Sequence, residues 1–294
     1  MIKRFFWNLY FLTFLNGFLL ATLFYFKMEA DYEKEVFQAI RSDLDNKVSL
    51  HDSQDSIVVK VMHACHNLLN EREPIFEGKS LDGFKAGLLH PATIDLMTAD
   101  GACASFSAVL ARLLDGYHYP VRIAQMKAKG EFAKHNVVEV ETRHGWAVLD
   151  ALYDLYFIKP EHGLASFADV KNNWNYYRHQ LPAGYDTAYH YEDVRYSNWT
   201  KVPVIFPAIK KILDLTLGKP QADVISVRTY FLKMYDICFN ITLALFIIIF
   251  LLTLLKLIQT KVFPQRNIPV TFSNIYKYLR MRFINWRIRG ESQA

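Results

Sequence analysis

Two stretches of the chain are apolar without a break, and the residues between them are patterned. No charge falls from Phe5 to Phe26, where "FFWNLYFLTFLNGFLLATLFYF" runs for 22 residues. As a helix this run is ~33 Å long, enough to cross a bilayer core. Asn8, Asn16 and Gly17 interrupt it and suit a face turned toward another helix. The exit "ATLFYFK" is bulky where a signal peptidase requires small side chains, which favours a retained anchor over a cleaved leader. A second run, "ICFNITLALFIIIFLLTLL" from Ile237 to Leu255, holds 19 uncharged residues and is more uniformly apolar than a soluble core helix.

Between these runs the periodicity alternates between helix and strand. Val36, Ile40 and Leu44 recur at helical spacing within 28–49, and a further helix is expected from Asp55 to Asn70. That helix brings His63, Cys65 and His66 close together. Positions i and i+3 of a helix can share a metal, but no further ligand pair follows at finger spacing, so the three are read as a packed helix face. In "DGACASFSAVLARLL", Phe106, Val109, Leu110, Leu113 and Leu114 predict a helix with Asp100 as N-cap and Cys103 in the first turn. "VRIAQMKA" predicts a strand, "KGEFAK" a turn or short loop, "HNVVEVET" a strand, "RHG" a tight turn and "WAVLDALYD" another strand. One helix followed by antiparallel strands is an α+β arrangement.

Charge sharpens this picture. The 294 residues carry 34 Lys+Arg against 29 Asp+Glu, a formal net of +5. Residues 27–234 hold 24 Lys+Arg and 27 Asp+Glu, a net of −3, so the excess positive charge lies in the flanks. Lys256, Lys261, Arg266, Lys277, Arg280, Arg282, Arg287 and Arg289 follow the second run, with only Glu291 opposing them. The basic charge therefore reports topology and gives no reason to expect nucleic acid. By the positive-inside rule both termini face the cytoplasm and 27–234 face outward, into the periplasm of a bacterium. "NIYKYLRMRFINWRIR" sets Ile275, Leu279, Phe283 and Trp286 along one side among Lys and Arg. That pattern suits either an interfacial helix or a docking helix for a membrane partner. "VPVIFPAIKKILDLTLGKP" reads as an amphipathic helix that lies on the membrane or packs on the domain.

The chemistry gathers at three residues. A helix N-terminus surrounds Cys103 with backbone N–H groups and favours the thiolate. A packed core thiol is the alternative, because Cys103 shares a helical face with Phe106 and Leu110. On the strand, His135, Val137, Glu139 and Glu141 share one face. A hairpin centred near His144 pairs positions summing to about 287 or 288, which sets Asp150 opposite 137 or 138 and near His135. The roles follow: Cys103 as nucleophile, His135 as general base and then acid, Asp150 as the group that orients the imidazole. Glu139 is read as a strand support or a partner of Arg122, Trp146 as core and His144 as an exposed turn residue. A disulfide between Cys65 and Cys103 is a competing structural role.

"GACASFSAVLARLL", "PVRIA", "HNVVEVE" and "GWAVLD", in this order, resemble the transglutaminase-like superfamily of papain-type thiol enzymes. The resemblance covers about 96–157. It implies a papain/transglutaminase-like core, a nucleophile helix packed on an antiparallel sheet, here set between two transmembrane helices. It implies attack of Cys103 on a carboxamide or related acyl group to give a thioester, with no metal or organic cofactor. The chain departs from the family pattern in lacking a glycine directly before the Pro120 strand entry and in carrying Val137 where an aromatic is common. The backbone N–H of Cys103 is a natural oxyanion donor; no residue in 60–98 announces itself as a second.

The expected organisation is an anchor at 1–27, a helical part at 28–95, a catalytic core with an aromatic-rich extension at 96–202, a membrane-proximal segment at 203–234, a second span at 235–257 and a basic tail at 258–294. The extension "NNWNYYRHQLPAGYDTAYHYEDVRYSNWT" carries two Trp and six Tyr, read chiefly as a loop packing its rings on the core and otherwise as a surface for sugars or peptides. The expected substrates are peptides, proteins or polymers of the cell envelope, with membrane lipid and a membrane-complex subunit as candidate partners. The competing function is a retired enzyme acting as a binding or assembly subunit in surface-polysaccharide export or modification.

Overall fold

The computed structural model of the chain describes residues 8–49, 51–76, 79, 81, 83, 87 and 89–262. The Lys3/Arg4 flank and the expected interfacial helix at 274–289 lie outside these residues. The chain divides into two compact units, one formed by 1–26 with 238–294 and the other by Lys27–Ile237.

Two helices are long and apolar enough to cross a membrane, α1 (Leu9–Asp45) and α11 (Met234–Val262), and the first unit contains α1 up to Phe26 and α11 from Cys238. The apolar run and the charged segment after it, expected as separate parts, are joined from Leu9 to Asp45 in one helix, because neither Gly nor Pro intervenes at the change from apolar to charged composition. Phe14, Phe18 and Phe24 of α1 and Ile241, Ile248 and Leu251 of α11 are exposed. The side chain of Asn16 explains the polar interruption of the first run: its Nδ2 donates to Thr253 Oγ1 at 2.7 Å and to the Leu12 carbonyl at 2.9 Å.

The second unit is α+β, and its shorter helices include α3 (Glu73–Phe76), α4 (Ala92–Thr98), α6 (Phe167–Asn172), α7 (Trp174–Tyr177) and α9 (Lys219–Asp223). Its five-stranded antiparallel sheet has the order β4-β3-β2-β1-β5, with β1 at Val121–Ala128, β2 at Glu131–Thr142, β3 at Gly145–Asp150, β4 at Leu155–Tyr156 and β5 at Val194–Arg195. Two differences from the sequence reading concern turns. Lys129 and Gly130 both have positive φ, 50° and 82°, which closes a two-residue hairpin and lets β2 start at Glu131, inside the expected loop "KGEFAK". Strand β3 ends at Asp150, not Asp154, because 151–154 form a turn with Asp154 at φ 51°.

Both faces of the sheet are covered. On one, α2 (Gln54–Asn70) and α5 (Cys103–Gly116) bury Val61, Met62, Val109 and Leu110 against Ile123, Val138, Val140 and Leu149. On the other, the aromatic extension buries Tyr177, Tyr185 and Tyr191 with Phe157 and Phe167 against Met126, Val137 and Val148. The adjacent pair Val137–Val138 therefore feeds two cores, one on each face of the sheet. Truncating a fully buried side chain such as Leu110 to Ala is expected to cost about 2–5 kcal/mol.

Candidate active site

The structure brings Cys103, His135 and Asp150 together, each by a different local device. Cys103 is the first residue of α5. Asp100 does not cap this helix. The residue before it, Ala102, has φ 43° and ψ −118°, and the loop is held from inside the helix instead. Ser105 Oγ accepts from the Gly101 N–H at 3.0 Å and donates to Asp95 Oδ1 at 2.6 Å. Gly101 is required here, since a Cβ at that position would lie 2.8 Å from Ser105 Oγ. The strained backbone at Ala102 directly precedes the thiol, where such conformations are often kept for function.

His135 sits at a bulge: Met126 pairs with His135 but Lys127 pairs with Phe132. A bulge re-aims the neighbouring side chain. His135 Nε2 meets Asp150 Oδ2 at 2.6 Å, with both side chains 1% exposed. The hairpin register pairs Val138 with Leu149, a sum of 287, which sets Asp150 opposite Val137. Nε2 being taken by the carboxylate, Nδ1 is the ring nitrogen left for the sulfur of Cys103, close enough for each group to shift the titration of the other. Tyr189 stacks on the imidazole at 4.5 Å and 16°, and Tyr153 meets it edge-on at 5.6 Å. Tyr189 of the aromatic extension thus packs on the ring, Tyr177, Tyr185 and Tyr191 are core, and Tyr176 is exposed.

The electrostatics follow from this packing. Burial pushes the Cys103 thiol up, but the hydrogen bond and charge of His135, with the backbone and side-chain N–H groups of Asn136, outweigh it and hold the thiol below its ordinary value. Burial works against the imidazolium too, but Asp150 and then Cys103 overcome it and raise His135 to about 9. Asp150 Oδ1 is buried without a hydrogen-bond partner among the described residues, so the carboxylate has its compensating charge on the His135 side. A thiolate–imidazolium pair is the favoured state between the two titrations.

Two residues escaped the sequence reading. Asn136 Nδ2 lies 3.5 Å from Cys103 Sγ, and Arg228 Nη1 donates to Asn136 Oδ1 at 2.8 Å. Asn136 follows His135, but strand alternation assigned it to the opposite face; the helix N-terminus leaning on that face closes the gap. Arg228 belongs to α10 (Val227–Phe231), inside the segment expected to be merely membrane-proximal, and no local pattern marks it.

The remaining polar residues have structural partners. Glu139 Oε2 accepts from Arg122 Nε at 2.9 Å and from Tyr196 OH at 2.5 Å. Trp146, read as core, is half-buried beneath the Arg122 guanidinium, 3.9 Å from its centroid. His144 is exposed in its turn and meets Asp55 at 3.1 Å. His63 pairs with Asp154 at 2.6 Å and His66 with the Ala151 carbonyl at 2.9 Å. Cys65 is buried, with its thiol toward the Phe106 carbonyl, and is not disulfide-bonded to Cys103. Among the described residues, His90, Asp95 and Asp100 have ligand atoms within 4.8 Å of one another, but Asp95 Oδ1 is already shared by Ser105 and His90.

No protein-family model, no curated protein and no solved structure matches the chain.

Proposed function

We propose that Lys27–Ile237 is a membrane-anchored thiol enzyme of transglutaminase-like type, acting on acyl or amide groups of cell-envelope substrates. The observation that carries this reading is the linear set of a helix-first Cys103, a buried His135 and Asp150 Oδ2 at 2.6 Å from the imidazole. The chain order of helix-borne Cys, strand His and partner-strand Asp supports the family and a papain-like core.

In this reading the Cys103 thiolate attacks the acyl carbon and the carbonyl electrons move onto oxygen. Collapse breaks the bond to the leaving amine, which takes a proton from the His135 imidazolium. The neutral imidazole then deprotonates water or an incoming amine, whose attack on the thioester returns the thiolate. Water gives hydrolysis and an amine gives transamidation.

The membrane setting is part of the proposal. α1 and α11 cross the inner membrane, the basic flanks stay in the cytoplasm, and the enzyme domain faces the periplasm. α8 (Ile205–Leu217) supports a lipid surface nearby, since none of its residues is buried and Ile205, Ile209, Ile212, Leu215 and Leu217 are exposed.

The test is acylation of the full chain in detergent by p-nitrophenyl acetate, read by peptide mass. A hydroxylamine-labile acetyl group on Cys103, lost in Cys103→Ala, is expected. A folded chain that gains none, and whose Cys103 alkylation is indifferent to His135, would overturn the enzyme reading and favour the retired binding subunit.

A further inference from the structure

We propose that the Asn136 side-chain amide is the second oxyanion donor beside the Cys103 backbone N–H, and that Arg228 is the positioning residue that holds this amide in its donating orientation. The inference rests on the thiol-enzyme reading and names a part of the machinery that reading leaves open.

An asparagine amide has an accepting end and a donating end, and its neighbours decide which faces where. Arg228 has only donors, and Nη1 sits 2.8 Å from Asn136 Oδ1. The oxygen is thereby committed to the guanidinium, and Nδ2 is left facing the sulfur at 3.5 Å. An acyl oxygen on a carbon bonded to that sulfur enters the space between Nδ2 and the first turn of α5. There the Cys103 N–H has no intrahelical acceptor, being at the first helical position. Two N–H groups converging where charge develops are what a tetrahedral intermediate requires.

The site is also rigid. Asn136 is 6% exposed, and its carbonyl accepts from Ser107 Oγ of α5 at 3.0 Å, which ties β2 to the nucleophile helix at this residue. α10 is fastened where β5 leaves the side of β1 uncovered: Ser226 Oγ donates to the Ile123 carbonyl at 2.9 Å, and the Ile123 N–H donates back to Ser226 Oγ at 3.2 Å. Ser197 Oγ adds bonds to the Ile225 carbonyl and from the Val227 N–H. These staples set Arg228 against Asn136. A charged donor on the amide oxygen also polarises the amide and strengthens its N–H groups as donors.

Two reactions of Cys103 separate this role from a general effect on the thiol. Alkylation by iodoacetamide displaces iodide from a methylene carbon and forms no oxyanion, whereas acylation by p-nitrophenyl acetate passes through one. The full chain in detergent is used, with thermal melting to establish that each variant is folded. Asn136→Ala is expected to slow acylation about 10²-fold, the usual loss for one oxyanion donor. Its alkylation, measured on the pH plateau, should change by no more than about threefold, because a thiolate once formed needs no oxyanion donor. Arg228→Gln should slow acylation about tenfold by letting the amide turn, and Arg228→Lys should recover part of that rate, since an ammonium also donates to Oδ1. Equal losses in both reactions for Asn136→Ala would overturn the oxyanion role. Folded Arg228→Gln acylating at the wild-type rate would overturn the positioning role. If the wild-type thiol shows neither acylation nor His135-dependent alkylation, the thiol-enzyme reading fails first, and this proposal falls with it.

Discussion

At the scale of single residues, the site depends on groups that are buried and have few partners. Asp150 fixes the tautomer and charge of His135 through one 2.6 Å contact. Asp150→Asn keeps the shape but offers the wrong protonation, so acylation of Cys103 should fall by about 10²–10⁴-fold in stopped-flow assays while the domain stays folded. The pH dependence has a definite sign. Cys103 is held low, so the rate rises with pH through that lowered value; His135 is raised to about 9, so steps needing the imidazolium fall as pH passes through 9. Turnover should therefore be bell-shaped, and Asp150→Asn should move its alkaline limb downward. The loop before the thiol gives a stability test. Ala102 sits at φ 43°, where glycine is unstrained, so Ala102→Gly should stabilise the domain by about 1 kcal/mol in urea unfolding, whereas Gly101→Ala should destabilise it.

At the scale of elements, what is legible in the sequence is what is local. The helix periodicity of 103–114, the strand alternation of β2 and the Arg143–His144 turn between β2 and β3 are written in neighbouring residues. The register follows from that turn, and with it the meeting of His135 and Asp150. The start of α5 is not legible, because its N-cap, Ala102, has no capping side chain and the loop before it is braced by Ser105 and Asp95, residues that N-cap preferences do not single out. Arg228 is not legible for a stronger reason: it reaches Asn136 across 92 residues, and nothing short of the folded chain sets α10 on the edge of β1. Two elements carry their own tests. Asn16→Leu removes the bond to Thr253 and should weaken association of α1 with α11 by roughly 0.6 kcal/mol in a double-mutant cycle with Thr253→Val. A fluorophore at position 212 of α8, in the full chain reconstituted in vesicles, should be quenched by lipid-borne quenchers; quenching by aqueous iodide alone would remove α8 from the membrane surface.

At the scale of the whole molecule, charge, apolar helices and the Cys103 site lie in distinct stretches of the chain. In the proposed function, the basic flanks orient the two apolar helices, and the sheet domain between them in sequence carries a thiol tuned by a buried histidine. The central claim is that tuning. Its most direct measurement is the alkylation rate of Cys103 against pH in the full chain, read by peptide mass, for wild type and His135→Ala. Cys65 is buried and is not expected to compete. The wild-type rate should reach its plateau well below the free-thiol value of ~8.5, and removing His135 should shift the rise upward. A thiol that titrates near ~8.5 and ignores His135 would contradict the account, and Cys103 would then be only the first residue of a packed helix.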